Sequence, residues 1–169
     1  MKFSTVSIIK HPIDSVWDVM QNRLPEIAVQ VDDIAEIVAL EHALADSGHN
    51  KVVNVWKAAP PLPDFLKNMV QPDMLAWTDS AVWDPDNRSC RWVIESHYFR
   101  EKMVCSGVTT YQPALGGKGC RLNFEGELKW NAGALNSVLM QGMDTVLGSL
   151  IPSNFRKISA AVEVFLKPS

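Results

Sequence analysis

Two pairs of acid–base side chains stand at a spacing that would bring them together: Glu95 with His97, and Glu125 with Glu127. Residues two apart in a β-strand share a face, so each pair could exchange a proton with a bound molecule. Both pairs lie opposite the apolar parity of their segments. Cys90, Trp92 and Ile94 alternate with Arg91 and Glu95, and Cys120, Leu122, Phe124, Leu128 and Trp130 alternate with Arg121, Asn123, Glu125, Glu127 and Lys129. The acids are therefore expected on the outer face, and no catalytic residue is assigned. The chain has no His-Glu-x-x-His, no Gly-x-Ser-x-Gly, no phosphate-binding glycine loop and no Cys/His ligand spacing, so no metal or cofactor is expected. Gly116-Gly117-Lys118-Gly119 reads as a hairpin turn.

The elements that must position any site follow from composition and pattern. A chain of 169 residues can bury a real core, and we expect one domain over residues 1–169. A net charge of −3 argues against nucleic acid as a partner, because neutralising phosphates takes a clustered positive excess. No apolar stretch approaches a bilayer span, and Lys2–Val6 is strand-like where a signal peptide would be apolar and a transit segment Arg-rich. Cys90, Cys105 and Cys120 sit unpaired in alternating segments, which suits buried thiols. The expected setting is the cytoplasm or another soluble reducing compartment.

Strands are expected over 2–10, 34–44, 51–58, 75–83, 90–98, 103–112 and 120–130. Pro12 opens a short helix that Leu24-Pro25 ends, and a second short helix is expected over 64–70, where Phe65, Leu66, Met69 and Val70 share a face. The last element is a long helix from Asn131 to Leu166, roughly 50 Å at 1.5 Å per residue, with Pro152 expected to kink it. Short turns between consecutive strands imply a curved antiparallel sheet wrapped around that helix, an α+β architecture.

This order resembles the helix-grip fold of the START-like (SRPBCC) superfamily, and Pro12-Ile13-Asp14-Ser15-Val16-Trp17-Asp18-Val19 looks like its first helix. Four short motifs, in order, are similar to the PRELI family of intermembrane lipid-transfer proteins. They are Arg23-Leu24-Pro25, Leu62-Pro63-Asp64-Phe65-Leu66-Lys67, Thr109-Thr110-Tyr111-Gln112 and Ser153-Asn154-Phe155-Arg156-Lys157. Leu24 stands where that family has Tyr, Glu26-Ile27 where it has Asn-Pro, and Pro152 is foreign to its helix.

The resemblance implies a lipid, phospholipid-like, or another apolar small molecule held in a cavity between sheet and long helix. Arg23 and Lys157 would face a phosphate at the mouth, helped by Arg156 and Lys57; the plain alternative is four solvated surface cations. Phe65, Leu66 and Met69 would form a lid with transient membrane contact, or a simple plug. Met140, Met143, Leu147 and Ile151 would line the cavity from the long helix, facing Trp92, Phe124 and Leu128, although such a stripe is also ordinary core. The family also works with a small helical partner protein, in the mitochondrial intermembrane space. The competing reading is a cyclase/aromatase-like enzyme acting on an apolar molecule, since cyclases of this superfamily place acid–base groups inside the cavity. A polar cluster pointing inward would favour it.

Overall fold

The computed structural model describes residues 1–167. Strand β1 (Lys2–Ile9) leads into helix α1 (Ile13–Asn22) and helix α2 (Leu24–Ala28), and β2 (Ile34–Leu44) and β3 (Asn50–Ala58) follow. Then come β4 (Ala76–Asp84), β5 (Ser89–Ser96), β6 (Met103–Ala114), β7 (Gly119–Trp130) and helix α3 (Val138–Phe165). The seven strands form one antiparallel sheet in the order β1-β7-β6-β5-β4-β3-β2, so α1 and α2 carry the chain from one edge strand to the other.

Strand parity decides which face packs on α3. Cys90, Trp92 and Ile94 are buried while Arg91, Val93 and Glu95 are exposed, as the alternation requires. Across the sheet the register aligns Asn54 with Asp79, Asp79 with Ile94, Ile94 with Cys105, and Cys105 with Leu128. These five residues make one row on the concave face. A second row runs through Trp92, Gly107, Gly126 and Phe3. There the glycines are a requirement of space: a Cβ on Gly107 would lie 2.4 Å from the Trp92 ring, and one on Gly126 2.5 Å. The Trp92 indole lies flat on bare backbone, stacked on Phe124 at 4.9 Å, which stacks in turn on Phe155 of α3 at 4.3 Å.

Three local expectations are corrected. Helix α3 begins at Val138, because Gly133 has φ of +80° and Ser137 caps the helix by accepting from the Met140 N–H at 3.2 Å. The helix runs unbroken through Pro152. Residues 64–69 form successive turns in place of a helix, since three prolines at 60, 61 and 63 leave too short a run to propagate one. Leu24-Pro25 does not end helical structure; Pro25 sits in the first turn of α2. Strand β2 also departs from simple alternation: register shifts near Ile34 and Ala39 leave Ile34 and Ile37 buried and Leu40 and Leu44 exposed.

Candidate functional site

Between the concave face and α3 lies a cavity of about 90 Å³. Its walls are Trp56 and Trp77, Asp79, Ala81 and Trp83 from β3 and β4, then Trp92 and Ile94 from β5 and Thr109 and Tyr111 from β6. Phe124 of β7 closes one side, Met20 and Leu24 come from α1 and α2, and Ile151, Asn154, Phe155 and Ile158 come from α3. Strands β4, β5 and β6 contribute alternate residues, so the cavity is built by the same parity that makes the core.

The polar atoms of this wall distinguish it from ordinary core. The Oδ1 of Asp79, the indole N–H groups of Trp56, Trp83 and Trp92, and both side-chain polar atoms of Asn154 are buried without a hydrogen-bond partner in the protein. So is the Oδ1 of Asn54, beside Asp79 in the row described above. Native interiors leave few such groups unpaired, because each costs about 1–3 kcal/mol. Here all but Asn54 belong to residues that line the one cavity.

Asp79 is the most costly of them. Burial pushes its carboxyl up to about 7, and the Trp56 indole N–H opposes that only in part, since it makes no hydrogen bond of normal geometry. Asp79 is half-buried and lines the cavity. No described Lys, Arg or His forms an ion pair with it. Burial also pushes the Cys90 and Tyr111 protons well up and the Cys105 thiol up to about 12, so these neighbours stay neutral at pH 7. All three cysteines are free and buried.

Of the residues singled out from sequence, Trp92, Phe124 and Ile151 line the cavity. Leu147 and Ile151 border a smaller hollow beside Trp77, while Leu128, Met140 and Met143 are packed in the core. Leu66 is fully buried against Gly142 of α3, where a Cβ would sit 2.7 Å from its side chain; Phe65 and Met69 on the same segment are exposed.

The four cations are not among the lining residues. Arg23 pairs with Glu26 at 2.7 Å and lies 4.6 Å over the Phe165 ring, and Lys57 pairs with Glu36 at 2.7 Å. Lys157 is bound by Asp33 in an open hollow that Asp32 also lines, and Arg156 donates to the Thr5 hydroxyl at 3.4 Å. The Glu26 side chain, first by its hydrogen bond, holds the Arg23 guanidinium above its ordinary range.

The outer acid–base pairs sit where parity put them. Glu95 and Glu125 are exposed, and His97 is hydrogen-bonded to Thr78 at 2.9 Å on the convex side. Among the described residues His49, Asp84 and Asp86 come close enough for a metal, but Asp84 is occupied by its own turn. It accepts from the Asn87 amide at 2.7 Å and from two backbone N–H groups, and these bonds, the Asn87 side chain first, hold its carboxyl below the usual range.

Asp79 was missed in sequence, yet it leaves a signal. In Trp77-x-Asp79-x-Ala81-x-Trp83 a lone carboxylate occupies the parity of three apolar residues.

No protein-family model matches the chain, and no curated protein matches it in sequence. Solved structures do match in shape. An aromatase/cyclase, Zhui, from Streptomyces sp. R1128 superposes with a TM-score of 0.70 at 13% identity, covering 98% of this chain and 92% of that one. The fold is the helix-grip fold. Norcoclaurine synthase from Thalictrum flavum shares it with a TM-score of 0.62 at 8% identity, over 98% of this chain and 86% of its own. Ara h 8.0201 shares it at 0.63 and 14% identity, over 98% and 96%. At these identities the likeness establishes the helix-grip fold and nothing finer. No helix of the described residues is long and apolar enough to cross a membrane.

Proposed function

We propose that this helix-grip protein binds a small aromatic molecule, carrying at least one hydrogen-bonding group, between the sheet and α3. The observation that carries this reading is the set of unpaired polar atoms on residues of one cavity wall: Asp79, Trp56, Trp83, Trp92 and Asn154. A ligand with donor and acceptor groups would satisfy atoms that the fold leaves costly. The size of the space supports a small ligand, since about 90 Å³ is well below the roughly 300–1,000 Å³ of ordinary small-molecule pockets. Norcoclaurine synthase, also a helix-grip protein, has been solved in complex with dopamine and hydroxybenzaldehyde, both aromatic. Titrating 2-naphthol and naphthalene against tryptophan fluorescence tests the reading. Saturable quenching, stronger for the naphthol, is expected; no saturable response to either would overturn it.

A catalytic version has its own support, since a carboxyl with a pKa near 7 inside an aromatic cavity is poised for acid–base work on a cyclisable substrate. The lipid-carrier version rests on a different observation: Phe65 and Met69 are exposed on the segment that covers α3, and most of the cavity wall is apolar. In that version a phospholipid needs the cavity to open and the rim cations to exchange their carboxylates for phosphate. Mass spectrometry of organic extracts from the purified protein separates the two, a co-purifying phospholipid favouring transfer.

A further inference from the structure

The cavity wall carries one acid and no base. Asp79 projects between Trp77 and Ala81 on β4, with Trp56 directly across from Trp77 on β3 and the two rings stacked at 5.8 Å. Trp83 and Trp92 stand on the same concave face. A carboxylate enclosed by indoles is the arrangement that recognises an ammonium group, through charge on one side and ring faces on the others. The chain supplies no such group itself. Among the described residues, the two cations stacked on rings are Arg23 over Phe165 and Arg88 over Trp17, neither ring being part of the cavity wall.

We propose that the ligand of this cavity is an organic cation, an amine or quaternary ammonium on an aromatic body, whose charge is met by Asp79 and the surrounding tryptophans. The inference rests on the small-aromatic-ligand reading and narrows it. An anionic aromatic acid would find indole N–H donors but would stand beside the Asp79 carboxylate, and a neutral phenol would leave that charge uncompensated. The Asn154 amide, reaching from α3 with both polar atoms unpaired, can accept a second ammonium proton or meet a hydroxyl elsewhere on the ring.

The pairing makes binding depend on pH. Asp79 titrates near 7, so its negative charge is present above neutrality and absent below. The other ionisable groups facing it are Cys90 of β5 and Cys105 and Tyr111 of β6, all held neutral by burial. Neither Asn54 and Trp56 from β3 nor Asn154 from α3 titrates.

The test uses three isosteric probes, benzylamine, benzyl alcohol and benzoate, followed by the indole N–H resonances of the whole protein. At about pH 8 benzylamine should bind at least about tenfold more tightly than benzyl alcohol, with benzoate weakest. At about pH 5.5, where benzylamine keeps its charge and Asp79 has lost its own, that preference should fall at least about fivefold. In Asp79→Asn it should vanish while benzyl alcohol binding persists. Benzyl alcohol binding as tightly as benzylamine in the wild type at pH 8, or an amine preference unchanged between the two pH values, overturns the cation and leaves the aromatic-ligand reading standing. Failure of all three probes to move the indole signals overturns both. Should the variant not fold, the wild-type pH comparison decides alone.

Discussion

At the surface Arg23, Lys57 and Lys157 each hold a carboxylate, Glu26, Glu36 and Asp33; further in, along β3 and β4, the Asp79 Oδ1 and the indole N–H groups of Trp56 and Trp83 have no hydrogen-bond partner of normal geometry among the described residues. The contrast inverts what cost alone would arrange. Exposed ion pairs gain little because water would solvate their members almost as well, whereas an unpaired buried group forfeits its full hydration. In the function proposed above, the inner groups are left for something that comes from outside.

The sharpest way to break this comparison is to neutralise the inner group. A folded-state pKa near 7, raised from 3.8, means the native protein binds more protons than the unfolded chain between those values. Stability is then highest below about pH 4, falls as pH rises toward 7 and is level above it, a loss of up to about 4 kcal/mol from this one group. Asp79→Asn should abolish most of that loss, so urea midpoints at about pH 4.5 and pH 8 should converge in the variant and differ in the wild type. A wild type equally stable at both, after the same correction for other groups, would break the contrast.

Next in size is the packed half of the same face. Gly107→Ala places a Cβ 2.1 Å from the Glu125 carbonyl oxygen and against the Trp92 ring, and should cost about 3 kcal/mol in chemical denaturation. Leu66→Ala removes a fully buried side chain that plugs against Gly142, and should cost about 2 to 3 kcal/mol while leaving probe affinity within about threefold. The rim gives the smallest effect. Lys157→Glu should leave benzylamine affinity within about twofold, because Lys157 is outside the cavity wall; a tenfold change would return the rim to the site.

Much of the architecture was legible because the sheet is built on strict parity. In β5 and β7 nearly every second residue is apolar, and the buried face follows from that. The helix limits were less so. Apolar spacing around Leu135 extends the helical pattern back past Ser137, but the backbone at Gly133 and the Ser137 cap set the true start. The segment at 64–70 has one apolar face, yet too few residues outside the prolines to pay for nucleation.

The candidate site was legible only in part, and for a physical reason. Trp92, Phe124 and Ile151 are apolar residues on an apolar parity, and they do line the cavity. Asp79, Asn54 and Asn154 are exceptions to the pattern, and an exception reads as noise until the register shows several exceptions meeting. The cations drew attention because isolated charge is visible in a sequence, while their partners Glu36 and Asp33 lie distant in sequence or across a strand pair.

Asp79 is a carboxylate in the cavity wall without a counter-ion among the described residues. Titrating its side-chain carboxyl by ¹³C NMR in the ligand-free protein measures this directly. The account predicts a midpoint near 7 that moves down when benzylamine binds; a midpoint at the ordinary aspartate value, unmoved by the amine, would contradict it.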